Sequence, residues 1–241
     1  MIRGYLRMTA ILFLTIAGSV GTLVAGAFGG RPAAARVMRW WGRAFLRAGG
    51  WTVATQGADN LPREGAILVA NHQSLVDIPL LVAAFDREIR FLAKKELGRI
   101  PVFGRSMRVA GNLFVDREDP RDAVRVIREA GNAMRRGEMI VIFPEGTRSE
   151  DGSIGEFKPG AFFIARKTGA PLVPVYIEGG IAALPKGAIV ARPASLVARV
   201  LPPMKAAGTA LSLDGMAAEA RRRIAAARED EARRAPAPSR L

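Results

Sequence analysis

Three short runs in this chain of 241 residues carry no charged residue: Ala66-Ile67-Leu68-Val69-Ala70, Met139-Ile140-Val141-Ile142-Phe143 and Leu172-Val173-Pro174-Val175-Tyr176-Ile177. Continuous apolar runs of about four to eight residues read as buried strands, the pattern of a parallel sheet. Helical stretches lie between them. Asp119-Pro120 opens one, with Asp119 as N-cap. Val124, Ile127, Gly131 and Met134 make its expected inner face, and Gly137 ends it. Lys158-Pro159-Gly160 opens another, reaching about Gly169. Further strands are expected at 51–55, 89–93 and 112–115, and a short helix at 101–109. Weaker strand signals lie at Ile189 and 196–201. An alanine- and arginine-rich helix at 212–229 precedes a frayed tail at 235–238. The alternation predicts an α/β fold, a single domain with a largely parallel central sheet flanked by helices. Its expected bounds are 51–210, after membrane-anchoring helices at 1–50 and before a C-terminal helix and disordered tail at 211–241.

No charged residue occurs between residues 8 and 30. Roughly 20 residues at about 1.5 Å each make a helix near the thickness of a bilayer core. Crossing the bilayer and entering one leaflet are both open to it. Arg3 and Arg7 precede the run, and Ala25-Gly26-Ala27 is open to reading as a signal-peptidase site. If residues 33–48 are helical, Arg36, Arg39, Arg43 and Arg47 share one face, while Val37, Trp40, Trp41, Ala44 and Phe45 cover the rest. Such a helix suits the headgroup region of a membrane. An amphipathic helix packed on the domain is the plainer alternative.

The formal charge is +14. It suits nucleic acid, anionic lipid or an acidic protein, and does not choose among them. No aromatic-rich RNA motif or zinc module accompanies it. The absence of cysteine excludes a disulfide frame, a thiolate nucleophile and a sulfur-ligated metal, and one histidine argues against a zinc site.

That histidine, His72, lies in Asn71-His72-Gln73-Ser74-Leu75-Val76-Asp77, directly after the first apolar run. Ile78-Pro79-Leu80-Leu81-Val82-Ala83-Ala84 continues as a helical segment. His72 therefore occupies a strand-to-helix turn, where a scaffold presents a side chain. A neutral imidazole is the usual general base for a hydroxyl, and a carboxylate on its far nitrogen fixes the tautomer. A lone histidine is also commonly structural. Asp77 has a plain use as well, as the third helical position after a Ser74 N-cap. That geometry holds Asp77 near His72, so the two uses are compatible. Amides near the Ser74 helix start are candidates to hold an oxyanion. Lys94, Lys95, Arg117 and Arg148 follow predicted strands, as His72 does, and ligands gather at the carboxyl ends of α/β sheets. Taken singly each cation reads as a surface charge. Together they suggest a phosphate beside the reacting hydroxyl.

The His-X4-Asp block resembles that of the glycerolipid acyltransferases. Gly111-Asn112-Leu113-Phe114-Val115-Asp116-Arg117 is similar to that family's second block. Phe143-Pro144-Glu145-Gly146-Thr147-Arg148-Ser149 matches its third, and Val173-Pro174-Val175-Tyr176-Ile177 resembles its fourth. Within the family the chain looks most like the bacterial 1-acyl-glycerol-3-phosphate acyltransferases. The resemblance implies acyl transfer from a thioester to lysophosphatidate, with His72 and Asp77 catalytic. It implies Arg117 and Arg148 on the acceptor phosphate, with Lys94, Lys95 and Lys158 as secondary candidates and Glu145, Gly146 and Thr147 in acceptor binding. It implies no cofactor beyond the co-substrate, an acyl-CoA or acyl carrier protein thioester. Membrane lipids are expected as partners and nucleic acid is not. The expected location is the bacterial inner membrane, with the active site on the cytoplasmic side. Three alternatives stand beside this reading: another acceptor such as lyso-ornithine lipid, a hydrolase using Ser74 without a Gly-X-Ser-X-Gly elbow, and a basic nucleic-acid-binding protein.

Overall fold

The structure, a computed structural model, describes residues 2–116 and 119–234. The strands are β1 (Thr52–Gln56), β2 (Ala66–Ala70), β3 (Ile89–Lys94), β4 (Leu113–Val115), β5 (Met139–Ile142), β6 (Leu172–Glu178) and β7 (Ser195–Val200). The helices are α1 (Ile2–Gly49), α2 (Asp77–Ala84), α3 (Phe103–Val109), α4 (Pro120–Arg135), α5 (Gly160–Thr168), α6 (Gly180–Ala183) and α7 (Leu213–Arg234). One sheet runs β1-β7-β6-β2-β5-β3-β4. Its neighbouring strands are parallel except β6 and β7, which are antiparallel. Pro174 is tolerated inside β6. Its carbonyl accepts from Leu201 N, so its missing donor points past the end of β7 rather than into a ladder.

All five residues of β2 are buried, because both faces of the sheet are covered. Leu68, Ala70, Met139 and Val141 face one layer, containing Leu80 and Leu81 of α2 and Phe45 and Leu46 of α1. Ile67, Val69, Ile140 and Ile142 face the other, built from α4, α5 and α7. Adjacent residues pointing to opposite layers is the period of two that a strand imposes.

Two expectations need correction here. The inner face of α4 is Val126, Ala130 and Ala133, with Ile127 and Met134 at its margin, while Val124 is 70 % exposed. Small alanines let the helix approach the sheet closely, whereas the sequence reading followed the larger side chains. Ile189 forms no strand and is exposed. The Asp119 cap is present, its carboxylate accepting from Arg121 N at 2.9 Å. The expected tail at 235–238 lies outside the described residues.

Helix α1 is a hairpin of two arms. Gly30 breaks it at φ 64°, ψ −166°, a conformation open to glycine, and Pro32 starts the second arm. The arms meet through small residues. A Cβ on Gly18 would stand 2.6 Å from Trp41 Cδ1, and one on Gly21 3.4 Å from Val37 Cγ1. Gly18→Leu should therefore overpack the hairpin at a cost of about 1–3 kcal/mol. A thermal melt in detergent should register it as a drop of about 2–4 °C per kcal/mol.

The first arm lies along the domain instead of leaving it. Gly4 packs on Val190 near one end, and Arg31 pairs with Glu138 and Glu88 beyond the other. The hydroxyls of Thr9, Thr15, Ser19 and Thr22 each donate to the carbonyl one turn back, so none asks for water. Leu6, Leu12, Phe13, Ile16, Val24 and Phe28 stand exposed on its outer side. Cleavage after Ala27 would strip the cover from Val37 and Trp41. On the second arm Arg36, Arg43 and Arg47 are exposed as expected, but the tryptophans part company. Trp41 stacks edge-on to buried Phe45, whereas Trp40 stays outside with the arginines.

Candidate active site

The backbone leaves β2 through α2 on one face of the sheet, and leaves β5 through α5 on the other. β2 and β5 are parallel neighbours, and their connections run to opposite sides, to β3 and to β6. Divergence of this kind opens a crevice at the carboxyl ends of the two strands. His72 stands at the rim from β2 and Glu145 from β5.

Asn71 fixes the rim. Its side-chain amide donates to Ile177 O at 2.9 Å and accepts from Ile177 N at 2.7 Å, extending the β2–β6 contact by a side chain. His72 Nδ1 then lies 2.8 Å from Asp77 Oδ2. The same oxygen accepts from Gln73 N at 2.7 Å and Ser74 N at 2.9 Å. Asp77 is fully buried. A carboxylate that only accepts assigns the proton to Nδ1, leaving Nε2 as a free acceptor. The imidazole stacks on Phe143, centroids 4.0 Å apart and planes 14° apart, with Phe91 beyond it at 6.3 Å.

Helix α2 begins at Asp77, two residues later than a Ser74 cap predicts. Half of the capping box survives, as the carboxylate reaching back to Ser74 N. The serine hydroxyl is used elsewhere, donating to Leu184 O and accepting from Val76 N at 3.3 Å. Ser74 is fully buried, so it is not presented to attack an ester. The amides of Gln73, Ser74 and Val76 are all occupied, which removes them as oxyanion donors.

Glu145 holds the backbone of the base. Its Oε1 accepts from His72 N at 2.8 Å and its Oε2 from Gly155 N at 2.9 Å. Burial pushes this carboxyl above the usual range, outweighing the two N–H bonds that pull it down. Ser149 N donates to His72 O at 2.8 Å, so the loop after β5 grips both sides of the His72 residue. Arg148, adjacent in that loop, is half-buried and has no hydrogen-bond or ion-pair partner among the described residues. Gly146 adopts φ 75°, and Thr147 is exposed.

The other cations differ. Lys94 is exposed at the end of β3, and Lys95 pairs with Asp116. Lys158 is exposed at the mouth of a cavity of about 300 Å³, lined also by Leu92, Val115, Ile142, Phe143 and Ile164. Phe143 therefore separates this apolar cavity from the imidazole. Arg117 lies outside the described residues. Among these residues no three His, Asp or Glu side chains group as a metal site. Sequence reasoning gave no role to Asn71, Phe143 or Gly155, although the first two sit inside the quoted blocks.

Residues 52–178 match the family model described as Acyltransferase. The protein is 40 % identical over 134 residues, 55 % of its length and 39 % of the other's, to a chloroplastic 1-acyl-sn-glycerol-3-phosphate acyltransferase of Brassica napus. It is 38 % identical over 116 residues, 48 % of its length and 49 % of the other's, to a 1-acyl-sn-glycerol-3-phosphate acyltransferase of Helicobacter pylori. It thus spans between about two fifths and one half of the length of these curated relatives. The crystal structure of the 1-acyl-sn-glycerophosphate acyltransferase PlsC from Thermotoga maritima superposes with a TM-score of 0.81 at 27 % identity, covering 100 % of this protein and 98 % of that one.

Proposed function

The chain belongs to the Acyltransferase family, and on that premise we propose that it transfers a fatty acyl group from a thioester to the free hydroxyl of 1-acyl-glycerol-3-phosphate, giving phosphatidic acid. The observation that carries this reading is a free imidazole nitrogen on a residue whose backbone is bonded to the loop after β5, the loop that carries Arg148, an arginine without a partner among the described residues. Nε2 of His72 takes the hydroxyl proton while Asp77 stabilises the imidazolium. The oxygen attacks the thioester carbonyl. A C–O bond forms, the C–S bond breaks, and the proton returns from His72 to the departing thiolate. No acyl-enzyme is needed. Arg148 takes the acceptor phosphate, assisted by Arg117, Lys94 and Lys158, with the turn at Gly146 and Thr147 shaping the approach. An acyl tail enters the apolar cavity behind Phe143.

Glu145 is a positioning residue in this scheme, since both its oxygens are taken up by backbone amides. Glu145→Ala leaves the amides of His72 and Gly155 without their acceptor, at about 1–3 kcal/mol each. The measured result should be a lower melting temperature together with a fall in kcat larger than any change in KM. Glu145→Gln should not rescue it, because one of the two amides then faces an NH2. The pH dependence follows from the raised carboxyl. Its contribution is fully present below the ordinary glutamate range and is lost as pH rises through the folded value, so the wild type should lose this increment across that window and Glu145→Gln should not.

We assign the hairpin to one leaflet of a bacterial inner membrane, on the cytoplasmic side where acyl thioesters are made. The support is an apolar outer face on an arm tied to the domain near both ends. The donor is acyl-CoA or acyl carrier protein. The test is a product assay by mass spectrometry, with purified protein, each donor, and a panel of lysolipids including lysophosphatidate and lyso-ornithine lipid. Phosphatidic acid as the main product supports the proposal. Acylation of a different lysolipid alone moves the acceptor, and no acylated product with either donor overturns the assignment.

A further inference from the structure

Between β3 and α3 the backbone makes a protrusion that the catalytic scheme does not use. Leu97, Ile100 and Val102 are 40 %, 44 % and 45 % exposed, three large apolar side chains in one short segment with Pro101 among them. Apolar side chains scattered singly on a surface need no explanation, but a cluster does. This one is built. Its base is closed by Gly98 and Gly104, where a Cβ on Gly104 would stand 2.4 Å from Gly98 O. Its tip turns at Val102, the one non-glycine residue with positive φ among the described residues, at φ 61°. Phe103 N donates to Pro101 O at 2.6 Å across that turn, and Gly104 N and Ser106 N donate to Ile100 O and Val102 O at 2.8 Å. A β-branched residue in this conformation is strained, and strain of this kind collects where function demands a fixed shape.

The surroundings indicate the occupant. Arg99 and Arg105 stand on either side of the tip in sequence, both exposed and without ion-pair partners among the described residues, against one acid, Glu96. The segment leads directly into α3, whose Phe103, Ser106 and Met107 close a small cavity with Thr15, Gly18 and Thr22 of the first arm. It thus adjoins the hairpin whose outer side is apolar, and it sits at the carboxyl end of the sheet, as His72 does. Apolar side chains bracketed in sequence by cations match a leaflet of anionic lipids, which offers acyl tails beneath negative headgroups.

We infer that residues 97–102 form a second lipid-docking element, a rigid knob that enters the same leaflet as the hairpin and sets the tilt of the catalytic face. This rests on the membrane reading above, and the experiment separates the two. The protein has no cysteine, so single-cysteine variants Phe13→Cys, Ile100→Cys and Val124→Cys can each carry one environment-sensitive fluorophore. Vesicles of phosphatidylethanolamine and phosphatidylglycerol, with and without spin-labelled phospholipid, supply the quencher. Loss of emission at positions 13 and 100, with position 124 on the opposite helical layer unaffected, is the expected result. Quenching at 13 but not at 100 overturns the knob and leaves the hairpin reading standing. No quenching at 13 overturns both, and equal quenching at all three positions overturns any oriented docking. Val102→Gly, which keeps the turn and removes the side chain, should weaken vesicle binding without lowering the melting temperature; unchanged binding counts against the knob.

Discussion

His72→Ala should lower the proposed acyl-transfer rate by at least ~10²-fold while the protein stays folded. General-base catalysis by a positioned side chain contributes about 10²–10⁴-fold, or roughly 3–5 kcal/mol at 1.36 kcal/mol per decade. The fold survives because the buried carboxylate of Asp77 retains the amides of Gln73 and Ser74 after the imidazole is gone. The loss is confined to one ring stacked on Phe143. A steady-state assay with a thermal melt on the same sample checks both halves. Wild-type rate in the variant would sink the general-base mechanism.

Asp77 is the second large effect, and two substitutions there should diverge. Asp77→Ala removes the acceptor of two buried amides as well as the orienting partner of His72. At about 1–3 kcal/mol per orphaned donor it should be markedly destabilised as well as inactive. Asp77→Asn should fold. The amides of Gln73 and Ser74 both aim at the oxygen that bonds His72, so they select the carboxamide oxygen of asparagine for that place and exclude its NH2. The Nδ1–H tautomer then persists, and only the charge that stabilises the imidazolium is lost. The expected cost is ~10²-fold, short of the roughly 10⁴-fold that follows in serine proteases when the amide reverses the tautomer. Because the protein has one histidine, its ¹⁵N NMR signals report this directly. An Nε2–H tautomer in Asp77→Asn would refute the argument. The double variant His72→Ala/Asp77→Ala should be scarcely slower than His72→Ala, as groups acting as a unit are not additive.

The strands that carry the site were legible because their sequences leave little choice. Residues 66–70 are apolar throughout, and β2 has those same limits in the structure. The Asp119-Pro120 start was legible for a local reason, since a cap depends on neighbours in sequence. What escaped was non-local or made of small residues. The return of the first arm onto the second depends on Gly18 meeting Trp41, a contact invisible to periodicity. The inward face of α4 is carried by alanines, which weigh little in any hydrophobic pattern. The His-X4-Asp spacing put the dyad within reach, but nothing in it revealed that Asp77 also holds the two intervening amides. Glu145 had the look of a ligand-binding acid because its block is shared with acceptor binding. Its bond to an amide 73 positions away belongs to the folded protein alone.

That bond has a kinetic consequence. The backbone of His72 hangs from the β5 loop by Glu145 at its N–H and Ser149 at its C=O, and Arg148 lies between those two anchors in sequence. With Arg148 on the acceptor phosphate as proposed, acceptor occupancy and alignment of the base should not be independent events. A loop stiffened by a bound phosphate also stiffens the imidazole, so the empty enzyme should handle a lone thioester poorly and waste little of it on water. Order of addition, and thrift toward the donor, would then follow from one carboxylate whose two oxygens both hold backbone amides.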